Sequence, residues 1–131
     1  MIPCDDDQPD GTALADWTSE TASRNVRWYH CARCDTPVTP EDAAINVAGS
    51  HEHTFTNPNA HTFHVGCFTV APGTSPVSAD TLEHTWFPGY AWAIVVCRSC
   101  STHLGWRFRG DAGTFHGLIL DRIRLFGPTG V

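Results

Sequence analysis

The chain has 131 residues, a length that suits one domain rather than several. Its formal net charge is −6, and its eight basic residues are all arginine and scattered, which argues against a nucleic-acid partner. It has no apolar stretch long enough for a membrane helix, and the acidic N-terminus lacks the layout of a signal peptide. We therefore expect a cytoplasmic protein without a membrane partner, and its eleven glycines and nine prolines favour a turn-rich β-protein.

The first part of the chain divides into an arm and the start of a domain. Residues 1–24 are polar and acidic without a lasting periodicity, so they are predicted to form a disordered arm. The folded domain is predicted over residues 25–127, followed by a short tail at 128–131. It begins with a strand at Val26–His30, and Thr39–Ala43 has the proline and acidic residues of a single capped helical turn.

From residue 45 onward, short apolar runs alternate with turn residues. The strand candidates are Ile45–Ala48, His53–Thr56, His61–Val65, Phe68–Ala71, Thr85–Phe87, Ala91–Val96, Leu104–Phe108 and Thr114–Leu120. Residues 71–76 are predicted to form a loop, and residues 121–125 fit either a last strand or a helical turn. The pattern predicts an all-β domain of short antiparallel strands.

Two Cys-x-x-Cys pairs enclose most of this domain, Cys31 with Cys34 and Cys97 with Cys100. Paired thiolates at this spacing place two sulfurs of one turn on a tetrahedral ion, and a second turn completes the site. Three disulfides in a secreted protein are the alternative, but two matched turns favour a metal. Four thiolates leave no open position for water, so we expect a structural zinc ion and no metal-based catalysis.

Three tryptophans, Trp86, Trp92 and Trp106, follow in or just after the enclosed segment. They can simply fill the core of a small β-domain. By period 2, however, Trp106 and Phe108 share one face of a strand. Three indoles meeting from three strands would form an open box for a compact ligand, either a cation held over ring faces or a neutral ring gripped by its polar edge.

A histidine-rich stretch and a single cysteine complete the candidates. His51, His53 and His61 allow a second metal site, although exposure or an internal hydrogen bond is the more common outcome. Asn57, before a proline, is predicted to start a turn and can also cover one wall of a pocket. Cys67 stands in an apolar run and is predicted to be a buried thiol rather than a nucleophile.

Together these residues resemble the CULT domain family, the thalidomide-binding domain of cereblon, and in particular its stand-alone bacterial members. The resemblance covers about residues 26–126. It is carried by the two cysteine turns, His-Glu-His followed by Phe-x-Asn-Pro at 51–58, His-x-Trp-Phe-x-Gly-Tyr-x-Trp at 84–92 and Cys-x-x-Cys-x-x-His-Leu-Gly-Trp at 97–106.

The resemblance implies a β-tent, two antiparallel sheets that meet at a steep angle near a structural Cys4 zinc site. It also implies a three-tryptophan cage that binds cyclic imides: glutarimide, thalidomide-type or uracil-like rings, and C-terminal cyclic imides of peptides. The positions that match the family's ligand contacts are Asn57, His84, Trp86, Trp92, Trp106 and Phe108. Phe108 is tyrosine in some members, so an edge hydroxyl is missing here.

Three other functions remain as alternatives to this non-catalytic binding module. A reader of methylated ammonium groups would also use an aromatic box, with Glu83 or Asp111 as its acid. An enzyme of the methionine-sulfoxide-reductase type needs a cysteine beyond the second cysteine turn, and residues 101–131 have none. An imide-hydrolysing enzyme would need a Ser–His–acid set or an open metal site, which the sequence does not offer. The sequence leaves the oligomeric state open.

Overall fold

The computed structural model describes residues 26–126, so the predicted arm at 1–24 and tail at 128–131 lie outside the described range. The compact unit spans Trp28–Phe126. Over these residues the chain forms short β-strands and two 3₁₀ turns, and none of its helices has the length and hydropathy to cross a membrane.

The bounds of the elements in chain order are as follows. The strands are β1 (Trp28–Cys31), β2 (Pro37–Pro40), β3 (Glu52–Thr56), β4 (Thr62–Phe68), β5 (Thr74–Pro76), β6 (Tyr90–Cys97), β7 (His103–Gly110), β8 (Gly113–Ile119) and β9 (Ile123–Phe126). The 3₁₀ turns are Glu41–Ala43, after β2, and Leu120–Arg122, between β8 and β9.

The strands form two antiparallel sheets. A six-stranded sheet has the order β3-β4-β8-β7-β6-β5, and a three-stranded sheet has the order β9-β1-β2. Four cysteines cluster where strands of the two sheets end. The prediction of an all-β fold with two antiparallel sheets and a four-cysteine site is therefore confirmed.

Several predicted strands have other bounds or do not exist. Ile45–Ala48 and Thr85–Phe87 are not strands, and the predicted strand Phe68–Ala71 contributes only Phe68, the last residue of β4. Two strands were missed, β2 and β5, and the latter starts inside the predicted loop at 71–76. Both missed strands lie at sheet edges and contain prolines, which a sheet accepts at its edge because proline cannot donate to a ladder.

The segment whose structure the sequence left open, residues 121–125, contains both alternatives. The 3₁₀ turn ends at Arg122, and β9 begins at the next residue. Strand β9 then pairs with β1 through Ile123 and Cys31, which brings the end of the domain back to the first cysteine turn.

Two clusters of buried side chains hold the sheets together. The first joins residues of both sheets, with Val38 and Ile123 from the small sheet against Phe68 and Leu118 from the large one. The second lies among strands of the large sheet and is rich in aromatic rings: its buried members are Val65, Cys67, Phe87, Trp106, Phe108, Phe115 and Ile119. Burying such side chains stabilises the fold by about 1.5–3 kcal/mol each.

Gly73 allows the two sheets to approach closely. Its backbone N–H donates to the carbonyl of Val38 at 2.9 Å, and its own carbonyl accepts from the N–H of Arg98 at 2.9 Å. A Cβ at this position would collide with the carbonyl oxygen of Pro37. A glycine here therefore lets the segment before β5 lie directly on β2, close to the second cysteine turn.

Candidate metal centre and aromatic cavity

The four cysteines of the two Cys-x-x-Cys turns bring their sulfur atoms together. Cys31 ends β1 in the small sheet and Cys97 ends β6 in the large sheet, and the four Sγ atoms lie within 4.8 Å of one another. Sγ of Cys31 lies 3.7 Å from that of Cys100, and Sγ of Cys34 lies 3.6 Å from that of Cys97. A tetrahedral zinc with bonds of about 2.3 Å requires sulfurs about 3.8 Å apart, so the residues fit this ion.

Each turn is built by the same hydrogen bonds. In the first, the N–H of Asp35 donates to the carbonyl of Cys31, and the N–H of Cys31 donates to the carbonyl of Thr36. In the second, Ser101, Cys97 and Thr102 repeat both bonds. The residues after the second cysteines, Asp35 and Ser101, both have a φ of 65°, which non-glycine residues adopt rarely.

The sequence itself carries a sign of this repeat. Both turns have the form Cys-x-x-Cys-x-Thr, and the threonine hydroxyl lies 3.1 Å from the second sulfur in each case, Thr36 beside Cys34 and Thr102 beside Cys100. Hydrogen bonds from Thr102 lower the pKa of the Cys100 thiol to about 6. A lowered pKa favours the thiolate, which is the form that binds metal.

Cys67 has a different environment from these four. It is fully buried in the aromatic cluster, and burial raises the pKa of its thiol to about 11. A thiol that resists ionisation is a poor nucleophile. This placement agrees with the prediction of a buried structural thiol.

A cavity of about 680 Å³ opens beside the large sheet. All six positions predicted to contact a ligand line it, together with eight further residues of the range 26–126. The lining consists of Asn57, Pro58, Asn59, His61, Phe63, Glu83, His84, Trp86, Trp92, Ile94, His103, Trp106, Phe108 and Arg122. The volume falls within the range of roughly 300–1,000 Å³ that small-molecule sites usually have.

Strands β6 and β7 supply the sheet side of the cavity. Their register places Trp92 opposite Phe108 and Ile94 opposite Trp106, and directly paired residues of antiparallel strands share a face. Trp106 is 8% exposed, whereas Phe108 is 1% exposed and packs against Phe115. Phe108 therefore lies at the bottom of the cavity, below Trp92 and Trp106.

Trp86 reaches the cavity from a turn and not from a strand, which corrects the prediction of three indoles from three strands. The turn is held by the hydroxyl of Thr85, which donates to the carbonyl of Tyr90 at 2.7 Å, and by Phe87, which is buried against Phe108 and Phe115. The Trp86 ring meets Trp106 edge to face, with centroids 4.8 Å apart. Because side-chain contacts hold residues 85–87 in place, this segment does not have to pair with a neighbouring strand.

The loop before Trp86 presents unpaired backbone groups beside the indoles. His84 has a φ of 57°, and its side chain is largely exposed. Within residues 26–126, neither the carbonyl of His84 nor the N–H of Trp86 has a hydrogen-bond partner. The loop is held at Glu83, directly before His84, because the Nε1–H of Trp92 donates to the carbonyl of Glu83 at 2.7 Å. The arrangement leaves one acceptor and one donor for a ligand.

Asn57 shapes the turn between β3 and β4. Its Oδ1 accepts from the N–H groups of Asn59 and His61, both at 2.9 Å. The predicted turn at this asparagine is thus present, and the residue also lines the cavity. Its side-chain N–H groups have no partner among the described residues, so they can donate to a ligand.

Three residues that line the cavity near Trp106 were not predicted. Phe63 meets Trp106 edge on at 5.2 Å, His103 meets it at 4.9 Å, and Arg122 lies over Phe63 at 5.9 Å. Burial lowers the pKa of His103, although its bond to the Gly105 carbonyl acts in the opposite direction. His103 was visible in the cysteine motif, whereas nothing in the sequence places Phe63 or Arg122 near the tryptophans.

The histidine-rich stretch forms hydrogen bonds. His51 Nδ1 lies 3.1 Å from the carbonyl of Ile45, and His53 Nε2 lies 2.9 Å from that of Val47. His61 lines the cavity. Among the described residues, the four cysteines form the one cluster of ligands close enough for a metal ion.

Comparison with known proteins identifies the domain. No protein-family model matches the chain. Cereblon of Danio rerio is 31% identical over 80 residues, which cover 60% of this chain and 19% of that protein. Cereblon of Gallus gallus is 32% identical over 81 residues, or 60% of this chain and 18% of that protein. Cereblon of Drosophila willistoni is 52% identical over 50 residues, or 34% of this chain and 8% of that protein.

The chain contains a cereblon-like CULT domain. The matching residues, the two antiparallel sheets and the four-cysteine cluster agree in this assignment. The chain covers less than a fifth of the length of these relatives. Its membership of the stand-alone bacterial group stays a prediction.

Proposed function

We propose that this CULT domain is a non-catalytic module that binds cyclic imides in the aromatic cavity. The ligands are glutarimide, thalidomide-type or uracil-like rings and C-terminal cyclic imides of peptides. The observation that carries the proposal is that all six family-matched positions line one cavity whose loop leaves a carbonyl and an N–H unpaired.

The chemistry of an imide edge suits these groups. An imide presents acceptor, donor and acceptor in a row. The carbonyl of His84 can accept the imide N–H, while the N–H of Trp86 and the ring of His84 can donate to the two imide carbonyls. An unpaired buried polar group costs about 1–3 kcal/mol, so a ring that satisfies all three positions is preferred over a lactam that lacks one carbonyl.

We further propose that the four cysteines hold a structural zinc ion. Cys31, Cys34, Cys97 and Cys100 would supply all four ligands, and the ion would then join the ends of β1 and β6 across the two sheets. Neutralising clustered thiolates and fixing both turns would stabilise the fold. With no open coordination position, such an ion takes no part in ligand chemistry.

A reader of methylated ammonium groups is the second candidate. Glu83 lines the cavity and can face a cation, whereas Asp111 is not among the lining residues. The presence of Arg122 in the same lining opposes a cationic ligand. The unpaired backbone groups at His84 and Trp86 also have no use in this function, because an alkylated ammonium offers no polar edge.

The proposal is tested by titrating the protein with glutarimide. Indole emission should change on binding, because a ring enclosed by Trp86, Trp92 and Trp106 alters their solvation. The ring has about eight heavy atoms, so its binding free energy cannot exceed about −12 kcal/mol, and we expect about half of that, or an affinity of tens of micromolar. Calorimetry that finds no binding of glutarimide at millimolar concentration would contradict the proposal.

A further inference from the structure

We propose that the cavity continues beyond the indoles to a subsite at Arg122 that accepts a negatively charged group. The preferred ligand is then a cyclic imide with an anionic substituent, such as a carboxylate. This inference rests on the proposed function, because it assigns the part of the ligand that the tryptophans do not hold.

The size of the cavity leaves room for such a substituent. Its volume is about 680 Å³. An imide ring of about eight heavy atoms fills only a small part of this volume, whereas drug-sized ligands occupy cavities of roughly 300–1,000 Å³. Phe63, His103 and Arg122 line the same cavity as the indoles. A ligand larger than the bare ring therefore has a place to extend.

Arg122 differs in its partners from the neighbouring arginines. Arg107 and Arg109 both bond Asp80, and Arg124 bonds Asp35. Arg122 instead donates Nη1 to the carbonyl of His103 at 2.9 Å and lies over the ring of Phe63. Within residues 26–126, no carboxylate lies within ion-pair distance of its guanidinium.

The surroundings of Arg122 strengthen its interaction with an anion. The residue is half-buried, so its charge is less well hydrated than that of an exposed arginine. Burial and, to a smaller extent, the charge of Arg122 lower the pKa of His103, against the opposing effect of its bond to the Gly105 carbonyl. The guanidinium has five N–H donors and one known acceptor, which leaves donors for a carboxylate.

The geometry also places Arg122 at a useful distance from the indoles. Arg122 contacts Phe63 at 5.9 Å, and Phe63 contacts Trp106 at 5.2 Å, so one ring separates the guanidinium from the cage wall. A flexible linker of a few atoms on an imide ring spans one such ring. Among the described residues of the lining, Glu83 is the only acid, and it is next to His84, with carboxylate and imidazole 3.8 Å apart.

The test compares ligands that differ only in charge. 3-Aminoglutarimide acylated with succinic acid carries a free carboxylate, and its succinamide analogue has nearly the same shape without the charge. We expect the carboxylate to bind about three- to tenfold more tightly to the unmodified protein. Raising the salt concentration from about 0.05 M to about 0.5 M should reduce this preference, since exposed parts of the site are screened.

Two variants assign the preference to a residue. Arg122→Gln should remove it, measured as the ratio of the affinities of the two acylated ligands for the same variant. Arg124→Gln makes the same charge change two residues away, outside the cavity lining, and should retain the preference. Arg122→Lys keeps the charge and replaces the glutamine variant in the test if that variant does not fold. It should retain part of the preference for the carboxylate ligand.

The possible outcomes separate the two proposals. If glutarimide and both acylated ligands bind but the carboxylate and the amide bind equally, the subsite is wrong and the imide function stands. A preference that persists in Arg122→Gln, or that does not respond to salt, also overturns the subsite. If no imide binds, the proposed function fails and this inference fails with it.

Discussion

The indole of Trp86 lies flat on the ring of Phe55, with centroids 4.6 Å apart and planes inclined by 6°. Phe55 belongs to β3, an edge strand of the large sheet, and Trp86 belongs to the turn before β6. The stack therefore covers one face of the indole with a residue of the β3–β4 hairpin. The position of this wall of the cage therefore depends on a hairpin that is distant from Trp86 in the sequence.

Removing Phe55 should loosen that wall without touching the ligand. Phe55 is not among the lining residues, so Phe55→Ala should weaken glutarimide binding by about 1 kcal/mol through loss of the aromatic pair. Thr54→Ala is the matched control, because it changes the adjacent residue on the opposite face of the same strand. Calorimetry of both variants measures the effect, and equal affinities would show that the stack does not position Trp86.

The zinc proposal predicts that metal and folding are lost together. Cys97→Ser should abolish zinc binding and cooperative thermal unfolding, because the free energy of metal binding is part of the folding free energy. Cys67→Ala removes a thiol outside the cluster and should retain the metal. Elemental analysis is the measurement, and less than about half an equivalent of zinc in fresh, folded, unmodified protein would contradict the proposal.

Truncation of Trp106 should separate ligand binding from metal binding. Trp106→Ala should weaken glutarimide binding by at least about 2 kcal/mol, since a wall of a desolvated pocket is lost. The side chain is nearly buried, so the variant should also lose about 3–5 kcal/mol of stability, and its zinc content must be checked. Trp28→Ala, in the small sheet, is the control, and unchanged affinity in Trp106→Ala would remove this residue from the site.

The strands that the sequence predicted best are those whose apolar residues alternate or run continuously. The prediction Ala91–Val96 falls inside β6, and Leu104–Phe108 falls inside β7. The prediction Thr114–Leu120 overlaps β8 closely. Their side chains face defined layers, which gives these segments a clear pattern. The turn at Trp86 was predicted as a strand, since an aromatic run looks the same whether a ladder or the Thr85 hydroxyl holds it.

The residues of the candidate site also divide into those that the sequence reveals and those that it does not. The cysteines and tryptophans are rare residues in recognisable spacings, so sequence alone selects them. Phe63 and Arg122 enter the cavity only because folding brings β4 and the last 3₁₀ turn to the start of β7, where Phe63 contacts Trp106 and Arg122 bonds the carbonyl of His103. Such proximity depends on strand order, which no local pattern contains.

A half-buried histidine, His116, should make the stability of the domain depend on pH. Burial lowers the pKa of His116 to about 4, and the charge of Arg107 acts in the same direction. Between this value and the unfolded pKa of about 6.5, the unfolded chain binds more protons, so the free energy of unfolding should fall as the pH is lowered through this window. The full loss is on the order of 3 kcal/mol and is absent above about pH 6.5.

Urea unfolding of the unmodified protein and His116→Gln at pH 7.5 and pH 4.5 measures this dependence. The variant should lose less stability than the parent on acidification, because it has no proton to take up at this position. The pKa of His103 is lowered as well, so the difference between the two proteins is what isolates His116. Parallel curves for His116→Gln and the parent would refute the prediction.

The recognition of an imide edge gives the sharpest prediction. N-methylation removes the ring's only donor and places a methyl group against the acceptor that we assign, the carbonyl of His84. Affinity should therefore fall by about 2–4 kcal/mol through an unpaired acceptor and a steric clash. A methyl-ammonium reader predicts the opposite order, in which a trimethylammonium compound binds well and the imide poorly. Competition among glutarimide, N-methylglutarimide and a trimethylammonium compound decides between them, and equal binding of the first two would exclude edge recognition whatever the tryptophans contribute.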